Sequence, residues 1–88
     1  MTKTFTINGK EVEFTKVSVI ITEDGNQEEL QGLLLHDTDD TFYDGDCITT
    51  EYSELPESEQ EAQDFITNAH WESDFTMENG KFKLNAEF

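Results

Sequence analysis

Two stretches near the ends of the chain alternate polar and apolar residues about an Asn-Gly pair. Asn8-Gly9 and Asn79-Gly80 are strong two-residue hairpin signals, because both turn positions need φ > 0. A tight turn at Asn8-Gly9 sets Ile7 opposite Lys10 and Phe5 opposite Val12. The same rule at Asn79-Gly80 sets Glu78 opposite Lys81, Met77 opposite Phe82 and Phe75 opposite Leu84. Both registers bring apolar side chains together across the pair. The last segment places Phe82, Leu84, Ala86 and Phe88 on one face and Lys81, Lys83, Asn85 and Glu87 on the other.

Between the hairpins, Val17 to Thr22 is β-branched and almost continuously apolar, the pattern of a central strand. Asp24-Gly25-Asn26 turns the chain into Leu30 to His36, a further strand. The Leu33-Leu34-Leu35 run suits either strand or short helix, and Gly32 with the adjoining turns favours strand. Thr41-Phe42-Tyr43 and Cys47 to Thr50 flank Asp44-Gly45 and suggest another short hairpin. One segment has helical period: from Pro56 to about Trp71, Ala62, Phe65, Ile66 and Ala69 recur at i, i+3, i+4 and i+7. Pro56 suits a first-turn position, while Ser58 with Glu61 matches a capping box one turn later. The expected architecture is a single α+β domain over residues 1–88, an antiparallel β-sheet of four to six strands with one helix packed across it.

Composition narrows the function. Leu, Ile, Val and Phe make up about 24% of the chain, above the ~20% below which disorder is the default. Against 21 Asp and Glu stand 5 Lys and no Arg, a formal net charge of −16 in 88 residues. Such a chain repels nucleic-acid phosphates and anionic membranes, so neither is expected as a direct ligand. No apolar run approaches a spanning helix, and the polar start Met1-Thr2-Lys3-Thr4 does not read as a signal peptide. A single cysteine, Cys47, forms no internal disulfide, which fits the reducing cytoplasm. The absence of Arg, with three Ala and eleven Thr, is unlike the composition of an acidic halophile surface.

Catalysis finds little support. A cysteine nucleophile needs a base nearby, and only His36 and His70 are available, at no recognisable spacing from Cys47. An electronegative neighbourhood also raises a thiol pKa. There is no Gly-rich phosphate loop, and carboxylate pairs carry no information in so acidic a chain. The segment Asp37 to Asp46 offers hard oxygen ligands, yet an EF-hand frame from Asp37 puts Phe42 where Gly is required and Ile48 where Glu is required. No metal, cofactor or catalytic residue is therefore expected.

The placement of charge says more than its total. All five lysines (Lys3, Lys10, Lys16, Lys81, Lys83) lie at the ends, and 18 of the 21 carboxylates fall between Val17 and Gly80. Asp37, Asp39, Asp40, Asp44 and Asp46 crowd ten residues, followed by Glu51, Glu54, Glu57, Glu61 and Asp64. On the expected helix Glu57, Glu61 and Asp64 fall at i, i+4 and i+7, forming one acidic stripe. Carboxylates on alternate strand residues recur every ~6.6–6.8 Å, a scale comparable with the phosphate spacing of nucleic acid. Phe42, Tyr43, Tyr52 and Trp71 would add apolar anchors wherever they are exposed. A solvated acidic face that keeps the protein soluble is the plainer account of the same residues.

In size, acidity and sheet-plus-helix pattern the chain resembles the small phage-encoded DNA-mimic inhibitors of the anti-CRISPR and anti-restriction type. The resemblance implies a non-catalytic inhibitor in the host cytoplasm. Its partner would be a basic nucleic-acid-binding protein such as a CRISPR or restriction nuclease. The contact expected from the charge pattern itself is the set Asp37, Asp39, Asp40, Asp44, Asp46, Glu51, Glu54, Glu57, Glu61 and Asp64. The alternative is an acidic interaction module that binds a basic protein without competing for nucleic acid.

Overall fold

The structure is a computed structural model that describes residues 1–37 and 45–87. Six strands and one helix follow in the order β1 (Thr2–Ile7), β2 (Lys10–Glu23), β3 (Asn26–Asp37), β4 (Asp46–Thr49), α1 (Glu59–Asn68), β5 (Phe75–Glu78) and β6 (Lys81–Glu87). Three two-residue turns join β1 to β2, β2 to β3 and β5 to β6. Each places both turn residues at positive φ: Asn8 and Gly9 at 53° and 79°, Asp24 and Gly25 at 51° and 81°, Asn79 and Gly80 at 53° and 78°. These are type I′ turns, whose twist matches that of the strands they join. The registers expected at both Asn-Gly hairpins are the ones observed. The hairpin expected around Asp44-Gly45 falls partly outside the described residues, and its second half, β4, pairs with β3 through Leu33↔Thr49 to His36↔Asp46.

The spine of the molecule is the long ribbon of β2 and β3, paired from Val12↔Asp37 to Glu23↔Asn26. It runs along the longest dimension, 42 Å against 23 Å in the other two. The other edge of β2 is shared. β1 occupies Lys10 to Thr15, and β6 lies beside Val19 to Thr22. The sheet order is β4-β3-β2-β6-β5 with β1 beside the first half of β2. The α+β class stands, with two corrections. β6 runs parallel to β2, so the sheet is mixed rather than antiparallel throughout. The strand expected at Val17–Thr22 is the second half of one continuous 14-residue β2.

Strand alternation gives each half of β2 a different buried face. In the first half Val12 and Phe14 point to the helix; in the second, Val19 and Ile21 point the other way. Val19, Ile48 and Leu84 are at most 3% exposed although no helix covers that side among the described residues. The sheet covers itself by curling until its ends meet. Glu72, three residues before β5, exchanges two backbone hydrogen bonds of 2.8 Å with Ile48 on the edge of β4 away from β3. Gly32 permits the bend: a Cβ there would lie 2.4 Å from the Thr49 carbonyl oxygen. Glycine inside a strand commonly marks such a close backbone approach.

The outer core lies beneath α1. Ser58 caps the helix by accepting a 3.1 Å bond from the Glu61 N–H, so the capping-box start is the one used and Pro56 lies before the helix. The helix is shorter than the Pro56–Trp71 span expected from its apolar stripe, and it ends at the Ala69 cap. Ala62 and Ile66 are buried against Ile7, Val12, Phe14, Leu33, Leu35 and Cys47. Phe14 sits centrally, with ring centroids of Phe5, Trp71 and Phe65 at 5.9, 6.2 and 6.5 Å. Trp71 donates its indole N–H to the Phe65 carbonyl at 3.1 Å. It is therefore a core residue, 8% exposed, rather than a surface anchor. Among the described residues no helix is long and apolar enough to cross a membrane.

Candidate acidic interface

β4 ends in a turn that begins to assemble carboxylates. Thr49, itself buried, accepts the Glu51 N–H on its hydroxyl at 3.2 Å, bending the chain out of the sheet. Glu51 then reaches back so that its carboxylate accepts the His70 backbone N–H. The His70 ring meets Glu72 at 2.5 Å between Nε2 and Oε1. These residues rim a cavity of about 170 Å³ whose floor includes Ile48 and Leu84. His70 lies beyond the helix cap, so it does not sit in the last helical turn as the periodicity suggested.

The ten residues expected at the interface divide into separate groups. Asp39, Asp40 and Asp44, with the aromatic residues Phe42 and Tyr43, lie outside the described residues, and Asp37 is the last residue of β3, opposite Val12. Asp46 is exposed on β4 and pairs with His36 at 2.5 Å. Alternation from Cys47 puts it on the face away from the helix. Glu51 belongs to the cavity rim. Glu54 and Glu57 line an open hollow together with Lys3 and Lys16, and the Lys16 ammonium lies 3.4 Å from the Glu54 carboxylate. Glu57 precedes the N-cap, so the expected stripe of Glu57, Glu61 and Asp64 does not form on the helix. Glu61 is half-buried in the first turn, and Asp64 is exposed, accepting a 3.1 Å bond from Gln60. Glu59 completes the acidic first turn, where it complements the helix dipole. Tyr52 is half-buried, stacked on Phe65 at 3.9 Å.

Two acidic features lie outside the expected set. Glu72 joins Glu51 across twenty-one residues of sequence, and no local spacing announces it. The tip of the β2–β3 ribbon carries Glu23, Asp24 and Glu28 around a shallow hollow. That group was accessible from sequence, since the Asp24-Gly25 turn alone sets Glu23 opposite Asn26 and Ile21 opposite Glu28.

None of the carboxylates from Glu11 to Glu29 and from Asp46 to Glu78 is buried. The chemistry available is electrostatic attraction and hydrogen-bond acceptance. Cys47 and His36 occupy adjacent strands but opposite faces, since Cys47 faces the helix core and alternation turns His36 away from it. They do not form a nucleophile–base pair. Among the described residues no group of three or more His, Cys, Asp or Glu is disposed to hold a metal ion. No family model, curated protein or solved structure matches the chain.

Proposed function

We propose that the protein is a non-catalytic acidic inhibitor acting in the cytoplasm. It occupies the nucleic-acid-binding surface of a basic partner, such as a CRISPR or restriction nuclease, and blocks DNA access. The observation that carries this reading is the exposure of the acid. At a net charge of −16, no carboxylate from Glu11 to Glu29 or from Asp46 to Glu78 is withdrawn into the interior, and Glu51, Glu57, Glu59, Asp64, Glu23, Asp24 and Glu28 have no lysine in ion-pair contact among the described residues. A field of this sign steers a basic cleft toward the molecule and makes association fast and salt-sensitive.

The test is capture of binding proteins from a host lysate at low salt, followed by elution with duplex DNA. Elution of a nuclease by DNA, and loss of its DNA binding when the chain is added in excess, is the expected result. A partner that keeps its nucleic acid while saturated with this chain would overturn displacement and leave the non-competing acidic module in its place. Replacing Glu57, Glu59 and Asp64 by lysine should weaken the complex while circular dichroism stays unchanged.

A further inference from the structure

β1 is an edge strand. Among the described residues its only strand partner is β2. The two-residue turn at Asn8-Gly9 makes Ile7 and Lys10 a mutually hydrogen-bonded pair, and in an antiparallel ladder such pairs alternate with non-bonded ones. Lys3, Phe5 and Ile7 therefore spend their backbone groups on β2. The bond from the Lys16 N–H to the Met1 carbonyl, 3.0 Å, continues the same phase. The N–H and C=O groups of Thr2, Thr4 and Thr6 point outward, and these three residues are exposed.

Natural sheet edges are guarded by charge, proline, bulges, shortness or a cover. The other edges here follow that pattern: β5 is four residues long and carries Glu78, and β4 is tied to Glu72. β1 has no proline and a bulge-free register. Alone among the six strands it contains no carboxylate. Its one charge, Lys3, is drawn across the helix face to the Pro56 carbonyl at 3.3 Å.

From this edge we propose that the protein forms a two-fold dimer by antiparallel pairing of β1 with β1 of a second copy. The register centred on Thr4 uses the outward groups of Thr2, Thr4 and Thr6 on both copies. It sets Thr2 opposite Thr6 and Lys3 opposite Phe5, so no like charges meet on the paired strands. A second copy is favoured over a basic foreign strand because the β1 segment has no acid with which to select one. The remaining charge of the two bodies is repulsive, so this dimer strengthens as salt rises. That is the opposite of the behaviour of the acidic interface with its basic partner, so the two proposals fail independently.

Sedimentation velocity on the purified chain, from low micromolar to about 1 mM, tests the pairing at ~10 mM and at ~1 M NaCl, where the Debye length is ~30 Å and ~3 Å. A monomer–dimer equilibrium at least about tenfold tighter at high salt is the expected result. Thr4→Pro removes an outward N–H that makes no bond to β2, and Thr4→Lys sets two cations face to face at the axis. Both should weaken the dimer at least about tenfold, whereas Thr76→Lys, the same charge change on β5, should not. A chain that stays monomeric at both salt concentrations overturns the proposal. So does a dimer that weakens with salt, or one that both Thr4 variants leave intact.

Discussion

The closest backbone approach at a glycine in the molecule supplies its sharpest test. Gly32→Ala adds one methyl group at a position where an ideal Cβ would meet the Thr49 carbonyl oxygen at 2.4 Å and Val19 Cγ2 at 3.1 Å. The first contact is with backbone held in the β3–β4 ladder beside the Leu33↔Thr49 pair. No side-chain rotation relieves it, so β4 must move outward by several tenths of an ångström. That movement strains the ladder and loosens the packing of fully buried Ile48 and Val19. Overpacking of this kind costs ~1–3 kcal/mol, occasionally more. Against it, Gly→Ala contributes ~0.4–1 kcal/mol by restricting the unfolded chain. The net loss is about 1–2 kcal/mol, which in a domain of this size lowers Tm by roughly 4–16 °C. Thermal unfolding followed by circular dichroism, with the exposed neighbour Gln31→Ala as control, measures it. A Gly32→Ala variant as stable as the parent would refute the close approach of the Thr49 carbonyl to Gly32 and the bend it permits.

Removing the helix cap with Ser58→Ala should cost ~1 kcal/mol, read as a lower urea midpoint with an unchanged slope. Trp71→Phe should cost less than Trp71→Ala, for which ~3–5 kcal/mol is the usual range, because the Phe65 carbonyl retains its 3.2 Å bond from the Ala69 N–H. As the single tryptophan, Trp71 should also emit as a buried indole and shift to the red on unfolding. Raising NaCl from ~10 mM to ~1 M, which shortens the Debye length from ~30 Å to ~3 Å, should raise Tm by screening the self-repulsion of the −16 chain; a flat or falling Tm would mean that repulsion is not what limits stability.

Local chemistry made much of this fold readable. Asn-Gly dictates a type I′ turn, the turn dictates the register, and the register puts Phe5 beside Val12 and Phe75 beside Leu84. Ser58 with Glu61 marked the true helix start as one of two options. The continuity of β2 was hidden for a physical reason. Its apolar positions change parity after Phe14, from Val12 and Phe14 to Val17, Val19 and Ile21, and a period-2 reading takes such a slip for a break. The strand is unbroken because its first half is covered on one face by α1 and its second half on the other by the curl. The parallel pairing of β6 with β2 depends on β2 running on past Thr15, where its pairing with β1 ends, and nothing within β6 encodes that.

The charge pattern was legible along the chain and misleading in space. Lysines confined to the ends of the sequence suggested an acidic middle left to itself, yet β1 and β2 lie against the connection into α1. Lys16 therefore pairs with Glu54 at 3.4 Å, Lys3 lines the same hollow, and Lys81 reaches Glu29 at 2.5 Å. Exposed pairs like these contribute ~0–1 kcal/mol to stability. Their larger consequence is local: they neutralise the surface around Glu54 and Glu29 without much reducing the total. Long-range attraction depends on that total, whereas docking depends on which carboxylates remain open at contact distance. In the proposed complex, steering of a basic partner belongs to the whole molecule. Contact there would fall to the ribbon tip at Glu23, Asp24 and Glu28, the helix residues Glu59 and Asp64, and the Glu51–Glu72 rim, places brought together by turns and caps rather than by proximity in sequence.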